Sequence, residues 1–457
     1  MSEHEERFLD AHVGGAERMA VISPQEYAKY NCKRGLRNDD GTGVLVGLTE
    51  IGEVHGYIID EGERIPAPGR LSYRGYDVAD IVRGFQSEGR YGFEEVIYLL
   101  LFGSLPTVDE LDDFKSLMGE LRNLPTGFTE DMVLRAPSSD IMNKLARSTL
   151  VSYSYDDNPE ELTVRNILRQ CIQLISRFPS MVAYAFQAKR HYFNDESLFI
   201  HAPDPELCTA ENFLQMMRAD RTFTPLEAET LDLALVLHAE HGGGNNSAFT
   251  IHLVSSASTD TYSAVAAAVG SLKGAKHGGA NNRVMSMMDD IKKNVSDWTD
   301  RDEVRSYLEK IMRKEAHDGT GLVYGIGHAV YTLSDPRAVL LKQKAGELAA
   351  EKGRDDEFRL YEVIEEVMPK AFAAIKGYER PIAPNVDFFS GFVYTMLSIS
   401  PDLYTPIFAM SRIAGWSAHL IEEHISGGRI IRPAYKCVHP RMDYEPIKGR
   451  TSRADAM

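Results

Sequence analysis

Two segments that combine histidine with glycine are the strongest candidates for chemistry in this chain. The first reads His238-Ala-Glu-His241-Gly-Gly-Gly-Asn245-Asn-Ser247, and the second reads Lys276-His277-Gly-Gly-Ala-Asn281. Glycine lets the backbone turn sharply and approach a ligand closely. We therefore predict that these segments form one half of an active site. The other half is predicted downstream, at Gly327-His328 and at Pro384-Asn-Val-Asp387.

The helix that carries the first histidines has a clear start. Thr224, Pro225 and Glu227 form a capping box with proline in the first turn, and we predict that this helix runs to His241. His238 and His241 would then share one face, because residues three apart are neighbours on a helix. Two further interpretations stay open. One or both are core histidines bonded to the backbone, or they are a pair of metal ligands, although no cysteine or further acid lies at a familiar spacing.

His277 lies just before a helix that we predict to begin near Asn281. The positive end of a helix disfavours a charged imidazole, so we expect a neutral ring. A neutral imidazole beside a carbonyl oxygen can stabilise a developing enolate by donating a proton or a hydrogen bond. The alternative is that His277 only caps the helix.

Asp387 follows Pro384 and precedes two phenylalanines. As an isolated signal it predicts a helix N-cap. Beside the aromatic rings it is also interpretable as a partly desolvated carboxylate, whose pKa is raised toward the strength of a general base.

Three arginines are candidates for binding an anion. Arg337 falls in the first turn of a helix that Ser334-Asp335-Pro336 announces, where a cation opposes the helix dipole; it meets an anionic ligand or pairs with Asp335. Arg412 is the only Asp, Glu, Lys or Arg between Leu403 and Ile421, so it must be paired internally or face a ligand, and we favour a carboxylate ligand. Arg432 is ambiguous, because a charged surface loop would have the same sequence.

The composition limits the class of protein. The formal charge of −17 over 457 residues argues against nucleic acid or an anionic membrane as partner. The four cysteines are scattered without a CxxC pair, as in a protein with reduced thiols, and we expect a cytoplasmic location. No targeting segment and no run of 18 apolar residues is recognised in the sequence.

The periodicity predicts a mostly α protein with a short β-hairpin in the glycine-rich residues 41–75. Breaks at the glycines of residues 274–279 and at residues 384–391 suggest a hinged division. We predict a large multi-helix domain from residues 1–278 and 391–457, with a smaller helical domain from residues 279–390.

Together the motifs resemble the citrate synthase family, of the type whose base is an aspartate. The resemblance covers most of the chain and rests on six motifs in the family's order. These are Leu71-Ser-Tyr-Arg-Gly-Tyr-Asp77, the segment from His238 to Ser247, Gly274-Ala-Lys-His277-Gly, Gly325-Ile-Gly-His328 continued to Pro336-Arg337, Pro384-Asn-Val-Asp387, and the two later arginines Arg412 and Arg432.

The resemblance implies a citrate-synthase-like fold and an acyltransferase of the tricarboxylic acid cycle. Acetyl-CoA would condense with oxaloacetate, and citryl-CoA would be hydrolysed to citrate and CoA, with no metal or other cofactor. Asp387 would remove a methyl proton, His277 would stabilise the enol, and His328 would polarise the ketone of oxaloacetate.

The resemblance also assigns binding residues. Oxaloacetate would be held by His241, Asn245, Arg337, Arg412 and Arg432, the last from the second subunit of a homodimer. Ser247 would orient His277. For CoA, the loop with Leu322 and Gly325 resembles an adenine-binding turn, and Arg34 and Arg380 match phosphate-binding positions.

Three other functions remain open at this point. The first is 2-methylcitrate synthase, which shares the fold and catalytic set but uses propionyl-CoA. The second is a metalloenzyme that uses the His238–His241 pair. The third is a catalytically inactive helical scaffold.

Overall fold

The computed structural model describes residues 1–60, 63–328, 330–378 and 381–450. It is mostly helical, as predicted. The helices are α1 (Glu3–Ala20), α2 (Pro24–Lys29), α3 (Val78–Ser87), α4 (Phe93–Phe102), α5 (Val108–Leu121), α6 (Ile141–Ser152), α7 (Val164–Asn194), α8 (Thr209–Met217), α9 (Pro225–His238), α10 (Asn246–Ser255), α11 (Thr261–Lys273), α12 (Ala280–Asn294), α13 (Arg301–Met312), α14 (Pro336–Lys352), α15 (Asp355–Lys376), α16 (Val386–Met396) and α17 (Tyr404–Ser426). Short 3₁₀ turns lie at Arg34–Leu36, Tyr153–Tyr155, Pro401–Leu403 and Ile447–Gly449, and a π-helical segment lies at Thr129–Leu134.

The chain forms two compact units. One is Leu48–Ile431, and the other combines Met1–Gly47 with the chain from Arg432 onward. Helices α1 and α2 lie in the second unit and bury none of their residues. The predicted smaller domain, residues 279–390, would lie within the larger unit, and this domain division stays a prediction.

The predicted hairpin is confirmed. Strands β1 (Gly52–Asp60) and β2 (Glu63–Tyr73) pair antiparallel, with Gly52 opposite Tyr73 and a bulge between His55 and Tyr57. The short strand β3 (Tyr76–Asp77) continues the sheet beside β2.

Helix α9 begins as the sequence predicts but ends earlier. Thr224 and Glu227 form the capping box. The predicted end at His241 is wrong, because the helix stops at His238. The Tyr73 hydroxyl lies 2.9 Å from the Val236 carbonyl oxygen and 3.3 Å from that of Glu240. The Tyr73 hydroxyl thus provides a hydrogen-bond donor for the carbonyl groups at the end of α9. Because His241 lies beyond that end, it does not share a helix face with His238.

Helix α17 lies at the centre of the larger unit and packs against α4, α7, α9, α10 and α11. Its residues from Ala409 to Leu420 are all buried. Gly415 donates its backbone N–H to the Ala239 carbonyl oxygen at 3.2 Å. A β-carbon at Gly415 would come within 2.5 Å of that oxygen, so glycine is required for this close approach. The contact places Arg412 directly beneath the end of α9.

Within the part of the chain that the structure describes, no helix combines the length and the hydropathy needed to cross a membrane.

Candidate active site

Arg412 is a fully buried cation with unused donors. Its Nε donates to the His238 carbonyl oxygen at 2.6 Å, and its guanidinium lies 4.6 Å from the centre of the Phe408 ring. Within the described part of the chain, its two terminal nitrogens have no hydrogen-bond partner and no acid forms a salt bridge with it. Burial lowers the pKa of Arg412 to about 10, so the group is charged at neutral pH. A buried cation with two unpaired donors is costly unless an anion binds it.

Arg337 is paired inside the protein. Its Nε and Nη2 donate to the two carboxylate oxygens of Asp335 at 3.0 and 2.7 Å, and both residues are buried. Burial would lower the pKa of Arg337, but Asp335 raises it above its ordinary value. Asp335 also accepts the backbone N–H of Val386 at 3.3 Å, so it links the starts of α14 and α16. The internal pair that the sequence left open is therefore present, and any ligand would share Arg337 with Asp335.

His328 is held in one orientation. Its Nδ1 accepts backbone N–H groups from Val330 at 3.1 Å and from Tyr331 at 3.2 Å. Both neighbours only donate, so a neutral His328 carries its proton on Nε2. The ring stacks on Tyr331 at 4.7 Å and meets the edge of the His241 ring at 5.2 Å. His328 therefore presents an N–H donor, the group needed to polarise a ketone.

Burial keeps the rings of both His238 and His241 neutral. Burial, followed by the charge of Arg337, holds the pKa of both rings well below the ordinary 6.5. His238 Nδ1 and His241 Nε2 are buried and have no hydrogen-bond partner among the described residues. His238 packs on Phe408 at 4.5 Å, whereas His241 contacts the ring of Tyr331 at 5.6 Å. Of the two, His241 lies on the side of His328.

His277 is supported by α10. Its Nε2 lies 3.1 Å from the Ser247 hydroxyl oxygen, which also accepts the Trp416 indole N–H at 3.0 Å. Burial, with a smaller contribution from Arg412, lowers the pKa of His277 to about 4. The ring is therefore neutral at physiological pH, in agreement with the expectation from its place before α12.

Asp387 lies in the first turn of α16 but does not cap it. The N-cap is Asn385, whose Oδ1 accepts the Asp387 N–H at 3.0 Å, so the capping interpretation of Asp387 is wrong. Burial raises the pKa of Asp387 to about 6, even though Arg337 and Arg412 lower it. The side chain is enclosed on most sides yet stays partly exposed. A carboxylate with this pKa is a competent base near neutral pH.

The segment before His328 is bonded to the start of α16. Gly327 donates its N–H to the Ala383 carbonyl at 2.8 Å, and Asn385 donates its N–H to Gly325 at 2.9 Å and its Nδ2 to Gly327 at 2.9 Å. Gly325 has φ +78°, and a β-carbon there would lie 2.9 Å from Val284. Gly325 is thus required by this connection, which fixes His328 relative to Asp387.

The glycine-rich hairpin supports the loop that follows His328. A β-carbon at Gly56 would come within 2.6 Å of the Val330 carbonyl oxygen, and one at Gly69 would overlap the carbonyl oxygen of Ser334. Gly69 also donates its N–H to the Ser334 hydroxyl at 3.2 Å. Sequence reasoning missed this role, although the density of glycine between residues 41 and 75 was the available signal.

Sequence reasoning also missed a network of hydrogen-bonded polar side chains that begins at Glu240. The Glu240 carboxylate is 3.1 Å from His419 Nε2, and His419 Nδ1 is 3.1 Å from His252 Nε2. His252 Nδ1 is 2.7 Å from a carboxylate oxygen of Glu423. Burial alone would lower the pKa of His419, but Glu240 and Glu422 raise it to about 9. His419 is therefore an imidazolium at neutral pH.

Part of this network has the spacing of a possible metal site, which concerns the metalloenzyme alternative. Ligand atoms of His252, His419 and Glu422 lie within 4.8 Å of one another, the one such group among the described residues. The alternative placed the metal at His238 and His241 instead. Because His419 holds a proton at neutral pH, a metal would have to displace it.

The other residues that the resemblance assigns are Arg34, Arg432, Leu322 and Arg380. Arg34 and Arg432 are exposed in the other unit, where Arg34 stacks over Tyr27 at 4.7 Å. Leu322 is exposed at the surface of the larger unit. Arg380 lies outside the described residues.

Comparison with known proteins gives concordant matches. Residues 40–434 match the family model described as citrate synthase, C-terminal domain. The citrate synthase of Haloferax volcanii is 36% identical over 92% of this chain and 99% of its own length. The 2-methylcitrate synthase of Shewanella oneidensis is 32% identical over 81% of this chain and 90% of its own length.

Solved structures agree in fold. The citrate synthase of Thermoplasma acidophilum, in a ternary complex with carboxymethyl coenzyme A and oxaloacetate, superposes with a TM-score of 0.74 at 27% identity, covering 92% of this chain and 99% of that one. The citrate synthase of Pyrobaculum aerophilum gives a TM-score of 0.72 at 29% identity, covering 89% of this chain and 94% of that one.

Proposed function

The chain belongs to the citrate synthase family, and we propose that it joins the acetyl group of acetyl-CoA to oxaloacetate and releases citrate and CoA. The family and the mostly α fold that the motifs predicted are confirmed, and the chain is an enzyme that transfers an acyl group. We further propose that the acyl group is acetyl and that each residue of the site has the role given below.

The observation that carries the proposal is the buried guanidinium of Arg412 with two unpaired terminal nitrogens. A carboxylate of oxaloacetate would accept both donors in the bidentate geometry that arginine favours. His241 Nε2, which is also unpaired, and Arg337 would contribute to holding the substrate. Asn245, at the start of α10, completes the set proposed within the larger unit.

The chemical steps follow from the two groups whose pKa burial has changed. Asp387 takes a proton from the methyl carbon of acetyl-CoA, and neutral His277 donates to the thioester oxygen as the enol forms. The enol carbon then forms a bond to the ketone carbon of oxaloacetate, and the enol proton returns to His277 as the thioester carbonyl re-forms. The ketone oxygen takes the Nε2 proton of His328, which the proton held by Asp387 replaces through solvent. Water finally attacks the thioester of citryl-CoA, the carbon–sulfur bond breaks, and CoA leaves. The proton transfers of the condensation use side chains of this chain, with acetyl-CoA as substrate and no further cofactor.

The proposal also covers a second subunit and the binding of CoA. Arg432 would reach the oxaloacetate site of a second subunit, which makes a homodimer the working assembly. Leu322 and Gly325 would line the adenine site, and Arg34 and Arg380 would contact phosphates of CoA.

Domain closure is the last part of the proposal. Residues 279–390, which include His328 and Asp387, would move as a smaller domain when oxaloacetate binds and complete the site for acetyl-CoA. Calorimetry of a non-reactive acetyl-CoA analogue, with and without oxaloacetate, tests this order. Equal affinity in both titrations would contradict closure.

The main alternative is 2-methylcitrate synthase, favoured by the similarity to the Shewanella oneidensis enzyme. Release of CoA, followed with a thiol reagent, distinguishes the two when acetyl-CoA and propionyl-CoA are compared with oxaloacetate. We expect a higher kcat/KM for acetyl-CoA; a large preference for propionyl-CoA would refute the assignment.

The same assay tests the base. Asp387→Asn should lower kcat by orders of magnitude while oxaloacetate still binds, because Arg412 is untouched. Asp302→Asn is the matched control, since the Asp302 side chain is 81% exposed on α13. Near-normal turnover in Asp387→Asn would exclude it as the base, and inactivity of the wild type would support the inactive scaffold.

A further inference from the structure

The hydrogen bonds around Ser247 restrict which nitrogen of His277 carries the proton. The buried Ser247 hydroxyl has three hydrogen-bond neighbours among the residues that the structure describes: the Trp416 indole N–H at 3.0 Å, the Asn245 Oδ1 at 2.9 Å and the His277 Nε2 at 3.1 Å. A hydroxyl donates one hydrogen bond and accepts two. Each neighbour must therefore be matched to one of these three positions.

Two of the neighbours have fixed roles. The indole N–H of Trp416 only donates, so it occupies one acceptor position of Ser247. The Asn245 Oδ1 also accepts the backbone N–H of Ser247 at 3.2 Å, as part of the cap of α10. In the ligand-free protein that bond selects the orientation of the amide, because a turned amide would face the N–H with another donor. Asn245 is consequently an acceptor toward the hydroxyl, and the proton of Ser247 has two possible targets.

Only one arrangement satisfies all groups. If the hydroxyl donates to Asn245, its remaining lone pair accepts from His277, which must then carry its proton on Nε2. If it donates to His277 instead, the Ser247 and Asn245 oxygens face each other at 2.9 Å with no proton between them. The ligand-free protein therefore favours the Nε2–H form of His277, which leaves Nδ1 as a bare acceptor.

This form is the wrong one for the proposed chemistry. To donate to the thioester oxygen, His277 must carry a proton on the nitrogen that is not used by Ser247, namely Nδ1. The two oxygens that disfavour the active form belong to Ser247 and Asn245, and Asn245 is one of the proposed oxaloacetate contacts. Oxaloacetate offers acceptor oxygens, so it would be bound by the amide Nδ2 of Asn245.

We infer that Asn245 is a positioning residue that couples oxaloacetate binding to the tautomer of His277, an inference that rests on the proposed function. When the Asn245 amide turns to the ligand, its Oδ1 leaves Ser247. The hydroxyl then donates to His277 Nε2, and the ring proton is relocated through solvent or substrate to Nδ1. Total protonation is unchanged, because one proton leaves Nε2 and one binds Nδ1. Oxaloacetate thereby prepares the donor that acetyl-CoA requires.

Nitrogen-15 NMR of the full chain labelled in its 14 histidines measures this directly. Proton-bearing and bare ring nitrogens differ widely in chemical shift, and His277→Gln identifies the signals of His277. In the ligand-free protein at neutral pH we expect Nε2–H in at least a tenfold excess over Nδ1–H. Addition of oxaloacetate should reverse the excess.

Three variants separate the role of Asn245 from a general effect on folding. Asn245→Ala removes the acceptor, so Nδ1–H should rise at least tenfold without ligand. Asn245→Asp keeps an acceptor oxygen and should retain Nε2–H. Asn246→Ala is the matched control, since the Asn246 side chain accepts from Ser271 at 2.6 Å instead, and it should also retain Nε2–H.

The outcomes that overturn the inference are distinct from failure of the proposed function. Nδ1–H as the main form of the ligand-free wild type, or no change in Asn245→Ala, would refute the hydrogen-bond argument whatever the enzyme does. An unchanged tautomer with oxaloacetate bound, as verified by calorimetry, would refute the coupling alone. Absence of both oxaloacetate binding and CoA release would refute the proposed function and the coupling, while the ligand-free tautomer would still test the hydrogen-bond argument.

Discussion

Replacing the proposed base should make the protein more stable. The pKa of Asp387 is raised from the ordinary 3.8 to about 6, mainly by burial. Because the folded state disfavours the charged carboxylate, ionisation costs stability. The cost is absent below pH 4, where the carboxyl is protonated in both states, and it is complete above pH 6. Asp387→Asn removes the charge and should therefore raise the stability at neutral pH.

The size of the gain follows from the pKa. A difference of about two pKa units corresponds to roughly 3 kcal/mol, at about 1.4 kcal/mol for each unit. The carboxyl stays partly exposed to solvent, which screens its charge, so we expect about 1–2 kcal/mol. With an unfolding entropy of about 2 cal/mol/K per residue, this raises the Tm by roughly 1–2 °C.

Differential scanning calorimetry at pH 4 and pH 7.5 checks the prediction. The difference between Asp387→Asn and the wild type should be present at pH 7.5 and vanish at pH 4. Asp335→Asn is the matched control, and its stability should change in the opposite direction. It leaves the buried Arg337 without its ion-pair partner and should lower the stability by about 3 kcal/mol. A Tm of Asp387→Asn that equals the wild type at pH 7.5, or a difference independent of pH, would refute the reasoning.

Three further predictions concern the surroundings of the site. Arg412→Lys should weaken oxaloacetate binding about 100-fold by calorimetry, because lysine lacks the planar fork of arginine. Gly69→Ala should lower kcat/KM at least tenfold by displacing the loop after His328, whereas Gly84→Ala in α3, where a β-carbon meets nothing within 4 Å, should not. Burial alone would lower the pKa of His419, but the neighbouring Glu240 raises it from the ordinary 6.5 to about 9. The stability that this pair contributes is complete below pH 6.5 and is lost as pH rises through 9. The free energy of unfolding in urea should therefore fall between pH 6.5 and pH 9.5 by about 3 kcal/mol more in the wild type than in His419→Gln.

Local signals made much of the fold predictable. The capping box at Thr224 and Glu227 begins α9, and the charge of Arg412 within an apolar run identified a buried cation. These features depend on residues within one or two turns of each other. Hydrophobic periodicity and caps act over the same range, so they can be recognised in a single chain.

Features set by distant contacts were not predictable. The end of α9 is fixed by Tyr73, which is 163 positions from Val236 in the sequence. The pairing of His252 with His419 spans 167 positions, and neither residue belongs to a motif. Asp387 was open to interpretation as a cap because the choice between it and Asn385 depends on which side chain meets the N–H groups of α16. Such choices are made by tertiary packing, which a single sequence does not specify.

One physical cause accounts for both proton-transfer groups of the proposed site. Burial favours the neutral form of any ionisable side chain, and it lowers the pKa of His277 to about 4 while it raises that of Asp387 to about 6. The positive charge of Arg412 lowers the pKa of both groups. At neutral pH it therefore helps to keep the aspartate ionised and the histidine neutral, the states in which a base and a hydrogen-bond donor are needed. A carboxylate bound to Arg412 would offset that charge and raise the pKa of Asp387, so a substrate carboxylate at Arg412 would also strengthen the proposed base.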